Sequence, residues 1–347
     1  MVIIEHIKEQ GMNGMKIFRR ISAALLAAVM LVSLAACNGN TPGNDSTSAT
    51  ESTTSYIRET KTRIATLSGP LGIGISKLGA DRDYAYDVKY HADAQQVVSL
   101  LKNGETDIAV LPVNLAANVY NETDGAVRII AVNTLGVFHI LENGKEIKSI
   151  NDLKGKTVYA FGEGSLPEYL LSSVLESSGL KGSVKVEYKE DYSEIEELMN
   201  EGKADVCMLP EPYAAAVASS AEGVRYALDL SDEWANANET PFVQSVVVAR
   251  AEYIESNAEY IETFLMHNEI SVNFLSELPE AGAAVLAQTG SFKTAEEAQA
   301  ALAGCNPRFI RGEEMKTALN AVFDMLYQAD SALIGGKMPD DGIYYAG

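Results

Sequence analysis

A stretch of this chain occurs twice, 98 residues apart, and it constrains the fold more than any other feature. Val88, Tyr90, Asp93, Leu100, Gly104, Asp107, Leu111 and Pro112 recur as Val186, Tyr188, Asp191, Leu198, Gly202, Asp205, Leu209 and Pro210. Ala116, Ala117 and Val119 recur as Ala214, Ala215 and Val217, which makes eleven identities in 32 ungapped positions. Ordinary composition gives about two. A unit of this length is too long for a solenoid repeat and too short for a copied protein. It predicts two similarly built α/β lobes with a cleft between them.

The patterning around the repeat fills in those lobes. Arg63–Leu67 reads as a strand, Ser68–Gly72 as a turn, and a helix is predicted near Ile73–Ala80. Tyr86–Tyr90 is the next strand, Ala94–Asn103 an amphipathic helix, and Asp107–Leu111 a buried strand stopped by Pro112. The second copy gives a strand at Thr157–Phe161, a turn at Gly162–Pro167 and a helix at Glu168–Ser178. A strand at Val184–Tyr188, a helix at Ser193–Glu201 and a strand at Val206–Leu209, stopped by Pro210, complete it. This alternation predicts parallel sheets with helices on both faces. Val127–Leu141 and Phe242–Arg250 lie outside the repeat. Each is predicted to be an extended strand crossing from one lobe to the other, a natural hinge pair. Amphipathic helices at Glu252–Leu278 and Glu313–Gln328 are expected to pack back on the first lobe. The predicted domains are 59–138 with 246–347 for lobe 1 and 139–245 for lobe 2.

Lys16, Arg19 and Arg20 precede a short apolar run, Ile21–Leu34, which ends in Leu34-Ala35-Ala36-Cys37. A basic region followed by so short an apolar one reads as a secretory signal over residues 1–37. The small residues before Cys37 resemble a bacterial lipobox, whose cysteine is lipidated. Residues 38–58 then read as a polar tether. These features place the chain on the outer face of the cell membrane, lipid-anchored through Cys37. A net charge of −21 excludes nucleic acid as a partner. No histidine pair has metal spacing, and no nucleophile elbow or phosphate loop occurs, so neither a cofactor, a metal nor an enzymatic activity is expected. Cys207 and Cys305 read as buried thiols, with a bridge between them left open.

Asn103-Gly104-Glu105-Thr106-Asp107-Ile108, Asp152-Leu153-Lys154-Gly155-Lys156-Thr157-Val158 and Leu209-Pro210-Glu211-Pro212-Tyr213 resemble segments of one known family. It comprises the solute-binding lipoproteins of ABC importers in the nitrate/taurine/thiamine-precursor (NitT/TauT, NMT1-like) group. The resemblance covers Ile64 to about Tyr344. It implies the two-lobed type II periplasmic-binding-protein fold, here with the two crossing hinge strands read above, a small-molecule ligand, and an ABC permease with its ATPase as partners; the chain is expected to act as a monomer.

In open α/β sheets, ligands bind beyond the carboxyl ends of the strands. The candidate ligand residues are therefore Ser68, Gly69, Pro70 and Leu71, then Pro112 and Asn114, from the first lobe. Gly162, Glu163, Ser165, Glu211 and Tyr213 come from the second, and Asn133, Thr134 and Gln244 from the crossing strands. None of these loops carries Lys or Arg before its helix body, whereas Glu163, Glu168 and Glu211 are present. A dedicated anion site usually carries an Arg or Lys. The expected ligand is thus neutral or cationic, for example a vitamin-precursor heterocycle stacked on a tyrosine. Glu211 reads either as its acidic partner or as a solvated carboxylate at a helix start. A small organic anion such as a sulfonate stays open, because helix N-termini alone can hold one. A surface sensor or an enzyme on the same scaffold also stays open.

Overall fold

The computed structural model describes residues 61–347, so the signal, Cys37 and the tether lie outside the described residues. β1 (Thr62–Leu67) leads through a tight turn of helix at Pro70–Ile75 into the short α1 (Ser76–Ala80). The first copy of the repeat forms β2 (Tyr86–His91), α2 (Ala94–Lys102), β3 (Ile108–Pro112) and α3 (Val113–Glu122). β4 (Val127–Leu135) and β5 (Phe138–Asn143) are separated by Gly136 and Val137 alone. β6 (Thr157–Phe161) and α4 (Leu166–Ser177) precede the second copy, β7 (Lys185–Lys189), α5 (Tyr192–Asn200), β8 (Val206–Pro210) and α6 (Tyr213–Ser220). Then come β9 (Val224–Asp229), α7 (Leu230–Asn238) and β10 (Val243–Arg250). The chain ends in α8 (Ala251–Ser256), α9 (Ala258–Glu277), α10 (Pro279–Gln288), α11 (Ala295–Leu302), β11 (Pro307–Ile310) and α12 (Gly312–Asp330).

Two sheets result, ordered β2-β1-β3-β10-β4-β11 and β7-β6-β8-β5-β9. Position by position the first five strands correspond, so the sequence repeat is a repeat of sheet order. The predicted purely parallel sheets are corrected here. β10 runs antiparallel to β3 and β4, and β5 antiparallel to β8 and β9. The cause is the path of the chain. β5 and β10 each enter their sheet from the other lobe, at the carboxyl edge, and can only run back through it.

Val127–Leu141 is therefore two strands in two sheets, broken at Gly136–Val137. β10 lies wholly in the first sheet, and the return crossing is made by α7 and residues 239–242 instead of a strand. The two crossings run side by side, the Gly136 N–H donating to the Phe242 carbonyl at 3.0 Å. Trp234 is buried there, edge-on to Phe242 at 5.2 Å.

Strand alternation distributes the core. Along β3, Ala109 and Leu111 join one apolar cluster while Ile108 and Val110 join another on the opposite face. α9 packs on the first lobe as expected, through Ile261, Phe264 and Leu265 beside Ile64 and Ile108. α12 differs from the expectation: Met315, Leu319 and Phe323 share one cluster with Leu170, Leu171 and Val174 of α4, so this helix touches both lobes. Cys207 and Cys305 are free, buried thiols.

Candidate ligand-binding cleft

Strand register brings the loops singled out in the sequence to the crossings. Pro112, at the end of β3, is level with Ser245, which is level with Thr134 near the end of β4. In the second sheet Pro210 and Asp229, at the ends of β8 and β9, are level with Phe138 and His139 at the start of β5. The carboxyl edges of both sheets thus flank one short hinge, the arrangement that places ligands in the crevice of an α/β sheet.

In the first lobe, Ser68 is exposed and Gly69, Pro70 and Leu71 are half-buried. A Cβ on Gly72 would collide with the Leu67 carbonyl oxygen, so the turn needs glycine there. Asn133, Thr134 and Ser245 are fully buried behind this loop and do not line an open surface. Asn133 Nδ2 donates to the Leu71 carbonyl at 2.7 Å and Ser245 Oγ donates to it at 2.8 Å, with Thr134 Oγ1 at 2.6 Å from Ser245 Oγ. Two side chains on the two strands that feed the hinge thus hold one loop carbonyl, and Thr134 supports one of them. Gln244 is buried, and its Oε1 has no hydrogen-bond partner among the described residues. Pro112 is half-buried at the start of α3. Asn114 lines a groove of about 600 Å³ between α2 and α3, together with Gln95 and Asn118.

In the second lobe, Ser165 Oγ donates to the Gly162 carbonyl at 2.6 Å and Glu168 accepts from the Gly164 N–H at 2.6 Å. Glu163 is exposed. Glu211 is not the solvated carboxylate that the sequence allowed: it is 3% exposed and packed within protein. Tyr226 donates to its Oε1 at 2.6 Å, the Ala215 N–H donates to Oε2 at 3.3 Å, and His139 Nε2 lies 3.7 Å from Oε1. Burial pushes this carboxyl above its ordinary range, outweighing the Tyr226, His139 and Ala215 contacts that oppose the shift.

Tyr213 is 39% exposed at the start of α6. It stacks on Tyr192 (centroids 4.3 Å, 25° between planes), which packs in turn on Phe161 at 4.2 Å. Phe161 ends β6, Tyr192 begins α5 and Tyr213 begins α6, so all three stand at the carboxyl edge of the second sheet. Sequence reasoning missed Phe161 and Tyr192. The repeat held a signal, since the first copy has Ala94 and Leu115 where the second has Tyr192 and Tyr213. Helix starts add polarity. Asp93 and Asp191 cap α2 and α5, whereas α3 begins without a side-chain cap; at α6 Glu211 takes the Ala215 N–H, and at α4 Pro167 has no N–H and the Glu168 N–H donates to the Ser165 carbonyl.

Among the described residues no His, Cys, Asp and Glu cluster is arranged to hold a metal ion, and no helix is long and apolar enough to cross a membrane. A family model described as NMT1/THI5 like matches residues 84–281. No curated protein sequence matches the chain. Among solved structures, an ABC transporter protein from Parabacteroides distasonis is similar at 23% identity and a TM-score of 0.69, over 83% of this chain and 99% of that one. The periplasmic aliphatic sulphonate binding protein SsuA from Escherichia coli is similar at 21% identity and 0.61, over 78% and 87%. The alkanesulfonate-binding protein SsuA from Xanthomonas axonopodis pv. citri, bound to MOPS, is similar at 15% and 0.55, over 81% and 94%. These likenesses establish the periplasmic-binding-protein fold.

Proposed function

This chain belongs to the NMT1/THI5-like family, and we propose that it is an extracytoplasmic solute-binding protein that closes on a small organic molecule and delivers it to an ABC importer. The observation that carries the reading is the shared hinge edge: two sheets of one strand order turn their carboxyl ends towards a pair of adjacent crossings. The bodies that close are the two predicted lobes, 59–138 with 246–347 and 139–245, with Val243–Ser245 moved to the first because β10 belongs to its sheet and Phe138 moved to the second because β5 does. Anchoring at the outer membrane face through lipidated Cys37, action as a monomer, and docking to a permease with its ATPase belong to the same proposal.

The solute we propose has a planar or apolar face that rests on Tyr213, and a hydrogen-bond acceptor that meets the starts of α3 and α6, ahead of the Ala215 N–H that Glu211 holds. A neutral or cationic heterocycle fits loops without Lys or Arg. The sealing of Glu211 weakens the case for a cation, because the carboxylate that argued for one is already used. A second reading, a small organic anion such as a sulfonate, is favoured by those same helix starts and by the sulfonate-binding neighbours. Micromolar binding corresponds to about −8 kcal/mol, within reach of one stacked face and a few hydrogen bonds. Melting curves with an aminopyrimidine and with MOPS separate the two readings, since a bound solute raises the melting temperature by mass action. A shift with the heterocycle alone supports the first, and a shift with MOPS alone supports the second. No shift across a broad panel of vitamins, sulfonates and amines contradicts solute binding.

A further inference from the structure

α11 and the tight turn Ala303–Cys305 lead into β11, the edge strand of the first sheet, yet they rest on the second lobe. Ala298, Ala301, Leu302 and Cys305 share an apolar cluster with Ala215 of α6, and also with Ile73 and Leu275. Gly304 lies directly over Glu211 and His139. A Cβ at this position would meet Glu211 Oε1 at 2.5 Å, His139 Nε2 at 2.8 Å and Glu211 Cγ at 2.9 Å. The Gly304 carbonyl oxygen is 3.3 Å from His139 Nε2, which donates to it in the Nε2–H tautomer. Asn306 pins the same segment to the hinge: its Nδ2 donates to the Gly136 carbonyl at 2.7 Å, and its carbonyl accepts from the Leu135 N–H at 2.9 Å.

We propose that Gly304 seated on Glu211 and His139 is a junction between the lobes beyond the two crossings and the α12–α4 contact, a latch that must release before they part. Glu211 is then a positioning residue that sets how readily the cleft opens, and it does not touch the solute. The inference rests on the two-lobe motion proposed above. The crossings can bend at Gly136–Val137 and residues 239–242, which lie between the strands of the two sheets. The 303–306 segment has no such freedom, because β11 ties it to one sheet and Gly304 to the other lobe. Opening has to break one of these attachments.

The contact is selective because little else faces the carboxyl. Tyr226 and Asp229 approach from β9, His139 from β5, the Ala215 N–H from α6 and Cys305 from the turn. Burial raises the Glu211 carboxyl, so its ionised form favours the hydrated, opened state. Rising pH through that range therefore loosens the latch. A latch of this kind lowers apparent affinity by the fraction of chains held away from the binding-competent state, without altering any solute contact.

Amide hydrogen exchange on the ligand-free full chain tests this. Gly304→Ala should speed exchange about tenfold at Leu135–Gly136 and at Ala215, while β3 (Ile108–Pro112) keeps its protection. Glu211→Gln, which preserves size, should give a smaller change at the same amides. It should also abolish their pH dependence above the ordinary carboxylate range, after correction for intrinsic exchange. Unchanged exchange at these amides in both variants, or exchange raised equally through β3, overturns the latch. Because no solute is present, failure here leaves the solute reading standing. A solute panel that gives no binding likewise leaves the latch result standing.

Discussion

Asp107, shared by both copies of the repeat as Asp205, accepts from Arg63 Nε at 3.0 Å and from its second guanidinium nitrogen at 2.6 Å, with Arg250 at 3.3 Å. Burial alone would raise this carboxyl, but the Arg63 hydrogen bonds and charge outweigh it and hold the group below its ordinary value. The stability it contributes is present above the ordinary carboxylate range and is lost as pH falls through that range towards the lowered value. Glu211 has the opposite sign: its raised carboxyl costs stability as pH rises. Asp107→Asn should therefore cost about 2 kcal/mol at neutral pH and markedly less in acid, as read by denaturant midpoints at the two pH values. An equal loss at both contradicts the pair's role. Tyr213→Ala removes the exposed face of the platform and should weaken a planar solute about tenfold, the equivalent of roughly 1.4 kcal/mol. Unchanged affinity by calorimetry would show that the solute lies elsewhere.

Among the elements, those of the repeat were legible because each one's burial is periodic in the sequence. β3 and β8 read as buried strands closed by proline, and they are. The direction of β5 and β10 was not legible, since an apolar strand carries no mark of which sheet it enters or from which end. The role of Glu211 was hidden for a related reason. Its partners Tyr226, His139 and Gly304 come from three separate elements, and only folding assembles them. Asn133 and Thr134 were read as lining the cleft and are instead fully buried on β4; the hold of Asn133 and Ser245 on Leu71 depends on a loop remote in sequence. The same loop gives a test at this scale. Gly72→Ala drives a Cβ into the Leu67 carbonyl and should destabilise the chain by about 2 kcal/mol. A denaturant midpoint equal to wild type would contradict the close packing of this turn.

For the whole molecule, the doubled stretch announced two lobes, and the matching sheet orders bear that out. What the repeat concealed lies in its differences. The second lobe carries the aromatic platform and the sealed carboxylate, while the first supplies a clamped glycine turn. The two crossings are short, and one apolar cluster continues from the first sheet through α12 to α4 of the second lobe, so a change in lobe separation bends the crossings and slides α12 on α4. The central claim is that a solute closes them. Small-angle scattering tests it most directly, on the ligand-free chain before and after adding back the small-molecule fraction released by denaturing natively purified protein. The account predicts a smaller radius of gyration after addition, reversed on dialysis. A radius that does not change while the fraction demonstrably binds would contradict closure.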